Sequence, residues 1–169
     1  MAFNVLSYVQ GSLYPSREAD VFLDGNALSR LQRLTKDLES ETNKTKQAEI
    51  KKEIKAHKAA LDKSRLVFHV KGFAPHVRTA ITEQAQKDGE KHKWDEDKIQ
   101  SETTNRIFAA AIEKVVNAEG EEDDRKWTAD DIQTLMDNAP NGALKEFIAA
   151  VVHVTAETLK FDQGVDVPF

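Results

Sequence analysis

Over residues 27–38 the apolar side chains fall at Leu28, Leu31, Leu34 and Leu38, a spacing of three or four that gathers them into one stripe on a helix. Residues 39–47 interrupt that stripe with almost no apolar side chain, and Ile50, Ile54 and Leu61 resume it. Two arrangements satisfy the pattern: one long helix with a solvated middle, or a helical hairpin turning near Asn43. Upstream, Asp20-Val21-Phe22-Leu23-Asp24-Gly25-Asn26 is a brief β-prone run closed by an Asp-Gly turn signal and a helix-capping asparagine. The residues up to Ala19, with Gly11, Pro15 and several serines, keep no helical period. They read as an N-terminal arm with room for a short strand over residues 5–9.

The period changes at Arg65. Leu66, Phe68 and Val70 share one face while Val67, His69 and Lys71 share the other, which predicts a strand ended by Gly72. An isolated strand needs a partner, and residues 21–23 supply one. Ala74-Pro75 then opens a helix through Val77, Ile81 and Ala85 towards Gly89. Asp95 caps a further helix whose apolar positions Ile99, Ile107, Phe108, Ala111, Ile112, Val115 and Val116 predict a stripe running on until Gly120. Thr128-Ala129-Asp130-Asp131 has the spacing of a capping box and starts a short helix through Ile132, Leu135 and Met136, broken at Asn138-Ala139-Pro140-Asn141-Gly142. The most apolar stretch, residues 143–160 with Leu144, Phe147, Ile148, Val151, Val152, Val154 and Leu159, is the expected central helix. It should bury Phe147, Ile148, Val151 and Val152 against Ile107, Phe108, Ile112 and the leucine stripe of residues 28–38. The expected fold is mainly α, a single helical domain over residues 20–169 behind an arm of residues 1–19. A small two-stranded β element sits in its N-terminal half.

Composition changes this picture in three places. A chain of 169 residues suits one main core, and its lack of cysteine excludes disulfides, thiolate catalysis and cysteine-ligated zinc, in keeping with a reducing cytoplasm. The start, Met1-Ala2-Phe3-Asn4-Val5-Leu6, has neither a basic leader nor a long apolar run, so neither secretion nor a membrane partner is expected. A net charge of -5 offers no global attraction to nucleic acid. Residues 44–63 are locally basic, with lysines at 44, 46, 51, 52, 55, 58 and 63 interleaved with Glu49, Glu53 and Asp62. Such a segment could contact phosphate in a small DNA-binding regulator, but it lacks interleaved aromatics, and a solvated helix face is the simpler reading.

Candidate chemistry is sparse. Histidines 57, 69, 76, 92 and 153 show no metal-ligand spacing, the glycines are too scattered for a phosphate loop, and no serine stands in a nucleophile elbow. The acidic run Glu119, Glu121, Glu122, Asp123, Asp124 lacks the alternation and central glycine of a calcium loop and reads as solvated. A non-enzymatic protein without metal or cofactor is expected. Trp94 and Trp127 stand beside highly charged segments, where a large aromatic either packs back onto the core or anchors a partner. Together with Phe161 and Phe169 they are the candidate partner-binding residues.

Four segments, in order, carry a family resemblance. They are the Val21-Phe22-Leu23-Asp24-Gly25 opening before a leucine-striped helix, the step Phe68-His69-Val70-Lys71-Gly72-Phe73-Ala74-Pro75, the Trp127-Thr128 helix start, and the closing Gly164-Val165-Asp166-Val167-Pro168-Phe169. Over residues 20–169 the chain resembles the tail assembly chaperones of long, non-contractile-tailed bacteriophages (siphophages), especially those of actinobacterial hosts. Members of that family often continue past the Pro-Phe with a serine-rich tail, whereas this sequence stops at Phe169. The resemblance implies a non-catalytic helper in the host bacterial cytoplasm, absent from the mature virion. It would bind the tape measure protein and recruit tail tube protein around it, with self-association possible and no nucleic-acid partner. A structural virion component, such as a minor tail or head-tail connector protein, would share the helical look and the absence of chemistry.

Overall fold

The computed structural model describes residues 14–156. Its framework is an antiparallel sheet of four strands in sequence order: β1 (Ser16–Phe22), β2 (Arg65–Lys71), β3 (Ile112–Asn117) and β4 (Glu122–Asp123). Six helices accompany it, and 64% of the described residues are helical, so the fold is mainly α. The β element has four strands rather than the two expected. The anticipated pairing is present for Val21 opposite Leu66 and Phe22 opposite Arg65, whereas Leu23 lies beyond β1 and is exposed. β1 nevertheless begins at Ser16, within the stretch assigned to the arm. The suggested strand over residues 5–9 lies outside the described residues, as do Leu159, Phe161 and Phe169.

The largest departure is β3. The helix capped by Asp95, whose carboxylate accepts from Lys98 N at 2.8 Å, stops at Ala111 and does not continue to Gly120. Ile112, Val115 and Val116 lie three and one apart, a spacing that mimics a helical stripe. A register shift in the pairing explains it: Val70 faces Ile112 while His69 faces Lys114, which leaves Glu113 as the extra residue of a bulge. Ile112 and Val115 therefore both turn inward, despite odd spacing. Gly120, at φ 84°, belongs to the turn between β3 and β4.

Residues 25–63 resolve as the hairpin alternative. Helix α1 (Gly25–Ser40) is capped by Asp24 rather than Asn26, and α2 (Lys44–Lys63) by Asn43, whose side chain accepts from Thr45 N and Lys46 N. Leu28, Leu31, Leu34 and Leu38 are only partly buried, because they pack on α2 and not on the central helix. The two helices pack on each other and make no extended contact with any other element. α3 (Pro75–His92) and α4 (Glu96–Ala111) form a second pair. They approach so closely that a Cβ on Gly89 would stand 2.5 Å from Ile99 Cγ1.

Helix α5 (Ala129–Asn138) starts with the expected reciprocal capping box between Thr128 and Asp131 and packs on α4. The last helix, α6 (Lys145–Ala156), lies across β1 and β2. Phe147, Val151 and Val154 are fully buried there, and the rings of Phe147 and Phe68 are 4.7 Å apart. Contact with the sheet is close enough that a Cβ on Gly72 would fall 2.5 Å from the carbonyl oxygen of Val154. Ile148 and Val152, expected inside, are 38% and 52% exposed. A helix against one sheet buries one face, and residues 148 and 152 lie on the opposite one.

Two substitutions on α6 separate those faces. Phe147→Ala should cost about 3–5 kcal/mol in urea denaturation, whereas Val152→Ala should stay within about 0.5 kcal/mol of the parent.

Candidate partner-binding site

Trp127 sits on the loop entering α5. Its ring meets Phe68 edge-on at 5.6 Å, and the Arg125 guanidinium carbon lies 5.1 Å from its ring centroid. The aromatic therefore packs back onto the core cluster, and its remaining exposed surface lines a groove of about 530 Å³. The other walls come from Val77 and Ile81 of α3, from Arg106, Ala109 and Ala110 of α4, and from Ile112. The indole nitrogen is buried and has no hydrogen-bond partner. An unpaired buried donor of this kind costs about 1–3 kcal/mol.

Trp94 follows the left-handed residue Lys93 that terminates α3, with its amide donating to Gly89 O at 2.9 Å. It stacks on His92 at 5.6 Å under the Lys98 ammonium, and does not line the Trp127 groove. The structure thus keeps the two tryptophans at separate sites.

Between them runs a charged lock. Arg106 donates to Asp88 at 2.8 Å and to Glu102 at 3.0 Å, and Gln84 donates to Asp88 at 2.9 Å. The Arg106 hydrogen bond, aided by Gln84, holds the Asp88 carboxyl below its ordinary 3.8. Burial would lower the Arg106 pKa, but the two carboxylates outweigh it and raise the value.

A second groove escaped the sequence reading. Met136, Ala139, Pro140, Gly142, Leu144 and Ile148 line a groove of about 400 Å³ where α5 turns into α6, and the exposed Val152 follows Ile148 by one helical turn. Its sequence signal is Ile148 and Val152 at i and i+4, which hydropathy alone assigns to the core. Among the described residues no group of three or more His, Asp or Glu is placed to hold a metal ion, and no helix is long and apolar enough to cross a membrane. No protein-family model, curated protein or solved structure matches this chain.

Trp127→Phe removes the unpaired donor and keeps most of the packing, so its melting temperature should equal or exceed the parent's. Trp127→Ala should instead lose about 3 kcal/mol. A second expectation concerns acid. A depressed carboxyl stabilises the fold while ionised; that contribution is complete above the unfolded value and lost as pH falls through the lower folded one. Asp88→Asn should therefore lower the melting temperature at neutral pH and flatten its decline below pH 3.8, as read from thermal scans across pH.

Proposed function

We propose that this protein is a tail assembly chaperone of a long, non-contractile-tailed bacteriophage. In this reading it binds the tape measure protein, recruits tail tube protein around it in the host cytoplasm, catalyses nothing and leaves before the virion is complete. The observation that carries the reading beyond resemblance is the outer face of α6. Ile148 and Val152 stand exposed on a helix whose other face is locked onto the sheet, and Ile148 lines a mainly apolar groove. A long helical protein with apolar stripes presents the complementary shape, since helix-in-groove recognition uses anchors spaced three and four apart. Covering that face during assembly removes apolar surface from water at about 25 cal/mol per Å². The Trp127 groove offers a second apolar wall with basic residues at its rim.

Co-expressed with the tape measure protein of its own phage, the chain should keep that protein soluble and co-purify with it at raised salt, because apolar contact is little screened. Ile148→Asp combined with Val152→Asp should abolish capture while leaving the circular dichroism spectrum unchanged. Mass spectrometry of purified virions should not find the chain; finding it at stoichiometric level would instead identify a structural virion component.

A further inference from the structure

The helical arm formed by α1 and α2 has a charge opposite to that of the rest of the molecule. Residues 25–63 carry ten Lys and Arg against six Asp and Glu, leaving 14 against 23 in the rest of the chain. Among the described residues none of those ten cations enters an ion pair, although the sheet and the other helices hold nine such contacts. The charges on α2 are also sorted by face. Gln47, Ile50, Ile54, His57 and Leu61 turn towards α1, and Lys44, Lys51, Lys55 and Lys58 are exposed along one flank. At 100° per residue those four fall within about 60° of one another and span about 21 Å. Glu49 and Glu53 project from the other flank together with Lys46, and Asp62 is the single carboxylate of α2 on the lysine side, at its base.

The opposite charge emerges from the same end of the sheet. Val21 faces Leu66 and Leu66 faces Asn117, so the arm, inserted between β1 and β2, and the turn joining β3 to β4 leave together. They are separated by about two strand spacings, or 10 Å. That turn and its flank carry Glu119, Glu121 and Asp124, all exposed and without an ion pair among the described residues. A basic arm about 30 Å long thus leaves the sheet beside an acidic turn with which, among the described residues, it forms no ion pair.

We infer that the occupant of the lysine flank is a second copy of this chain, related by a two-fold axis, with each arm laid across the acidic turn of its partner. Two-fold pairing makes both contacts at once from one pair of surfaces, the self-complementarity that closed dimers require. Duplex nucleic acid fits less well, because its phosphates would meet the lysines only while facing the acidic turn at the arm's base. The inference does not rest on the tail-assembly reading, since it concerns a different face of the molecule.

Light scattering after size exclusion tests it on the full chain. At ionic strength of about 0.01 M the mass should be twice the 19.0 kDa of one chain, falling to a single chain at about 1 M, where the Debye length shrinks from about 30 Å to about 3 Å. The combined variant Lys44→Glu, Lys51→Glu, Lys55→Glu, Lys58→Glu should be monomeric at low salt, and so should Glu119→Lys, Glu121→Lys, Asp124→Lys. Mixing these two variants should restore a one-to-one dimer, because each then offers the charge the other lacks. A parent that is monomeric at low salt overturns the inference, as does a lysine variant that still dimerises or a mixture that does not associate. A monomeric parent that retards a duplex oligonucleotide, with retardation lost in the lysine variant, would replace the second copy with nucleic acid.

Discussion

The seating of α6 on β1 and β2 is the contact on which the rest of the molecule depends. Phe147 meets Phe68 from the sheet and Phe108 from α4, at 4.7 and 5.8 Å, so one ring joins three layers of structure that are distant in sequence. Gly72 allows the approach by leaving the space where its side chain would meet the Val154 carbonyl. Arg17 on β1 hydrogen-bonds His153 on the same helix, tying the edge strand to α6 at its rim. With aromatics only 7% of the chain, concentrating several at one junction lets a sparse set of large side chains organise the core.

That junction also determines which surfaces are left for partners. Because α6 gives one face to the sheet, its other face keeps Ile148 and Val152 in water, and the turn from α5 shapes a groove that Ile148 lines. The arm takes no part in the core cluster, and at its base Gly25 lies against Pro140 of the body. Apolar and electrostatic surfaces are thereby placed on different elements. Salt acts strongly on one and weakly on the other.

Much of this organisation was legible in the sequence, and the failures have specific causes. Caps were readable where their chemistry is local, as at Asp95 and the Thr128 with Asp131 pair, whose side chains meet free amides; at α1 the cap is Asp24 and not the Asn26 that the sequence suggested. The strand over residues 66–70 was readable because its alternation is unbroken. β3 was not, since a bulge at Glu113 destroys alternation and leaves apolar residues at helical spacing. Ile148 and Val152 were misplaced because hydropathy says that a helix is apolar without saying how many neighbours it has. Trp127 could be singled out, but its contact with Phe68 depends on tertiary placement that no local pattern encodes. The sorting of lysines on α2 required knowing which face meets α1, and the sequence left open whether residues 25–63 formed one helix or two.

The insertion of the arm between adjacent strands bears on how the chain folds. Phe22 and Arg65 are direct neighbours in the sheet although 42 residues separate them, and closing a loop of that length from a disordered chain carries an entropic cost that grows with the logarithm of its length. Helical hairpins assemble from contacts between nearby residues and form early on the folding timescale. Once α1 and α2 have zipped together, the two strand ends are brought side by side and the effective loop shrinks to a few residues. The arm would then act first as a kinetic clamp for the β1 and β2 ladder. Its return to the point of departure also makes it a topological insertion, separable from the sheet that it helps to assemble.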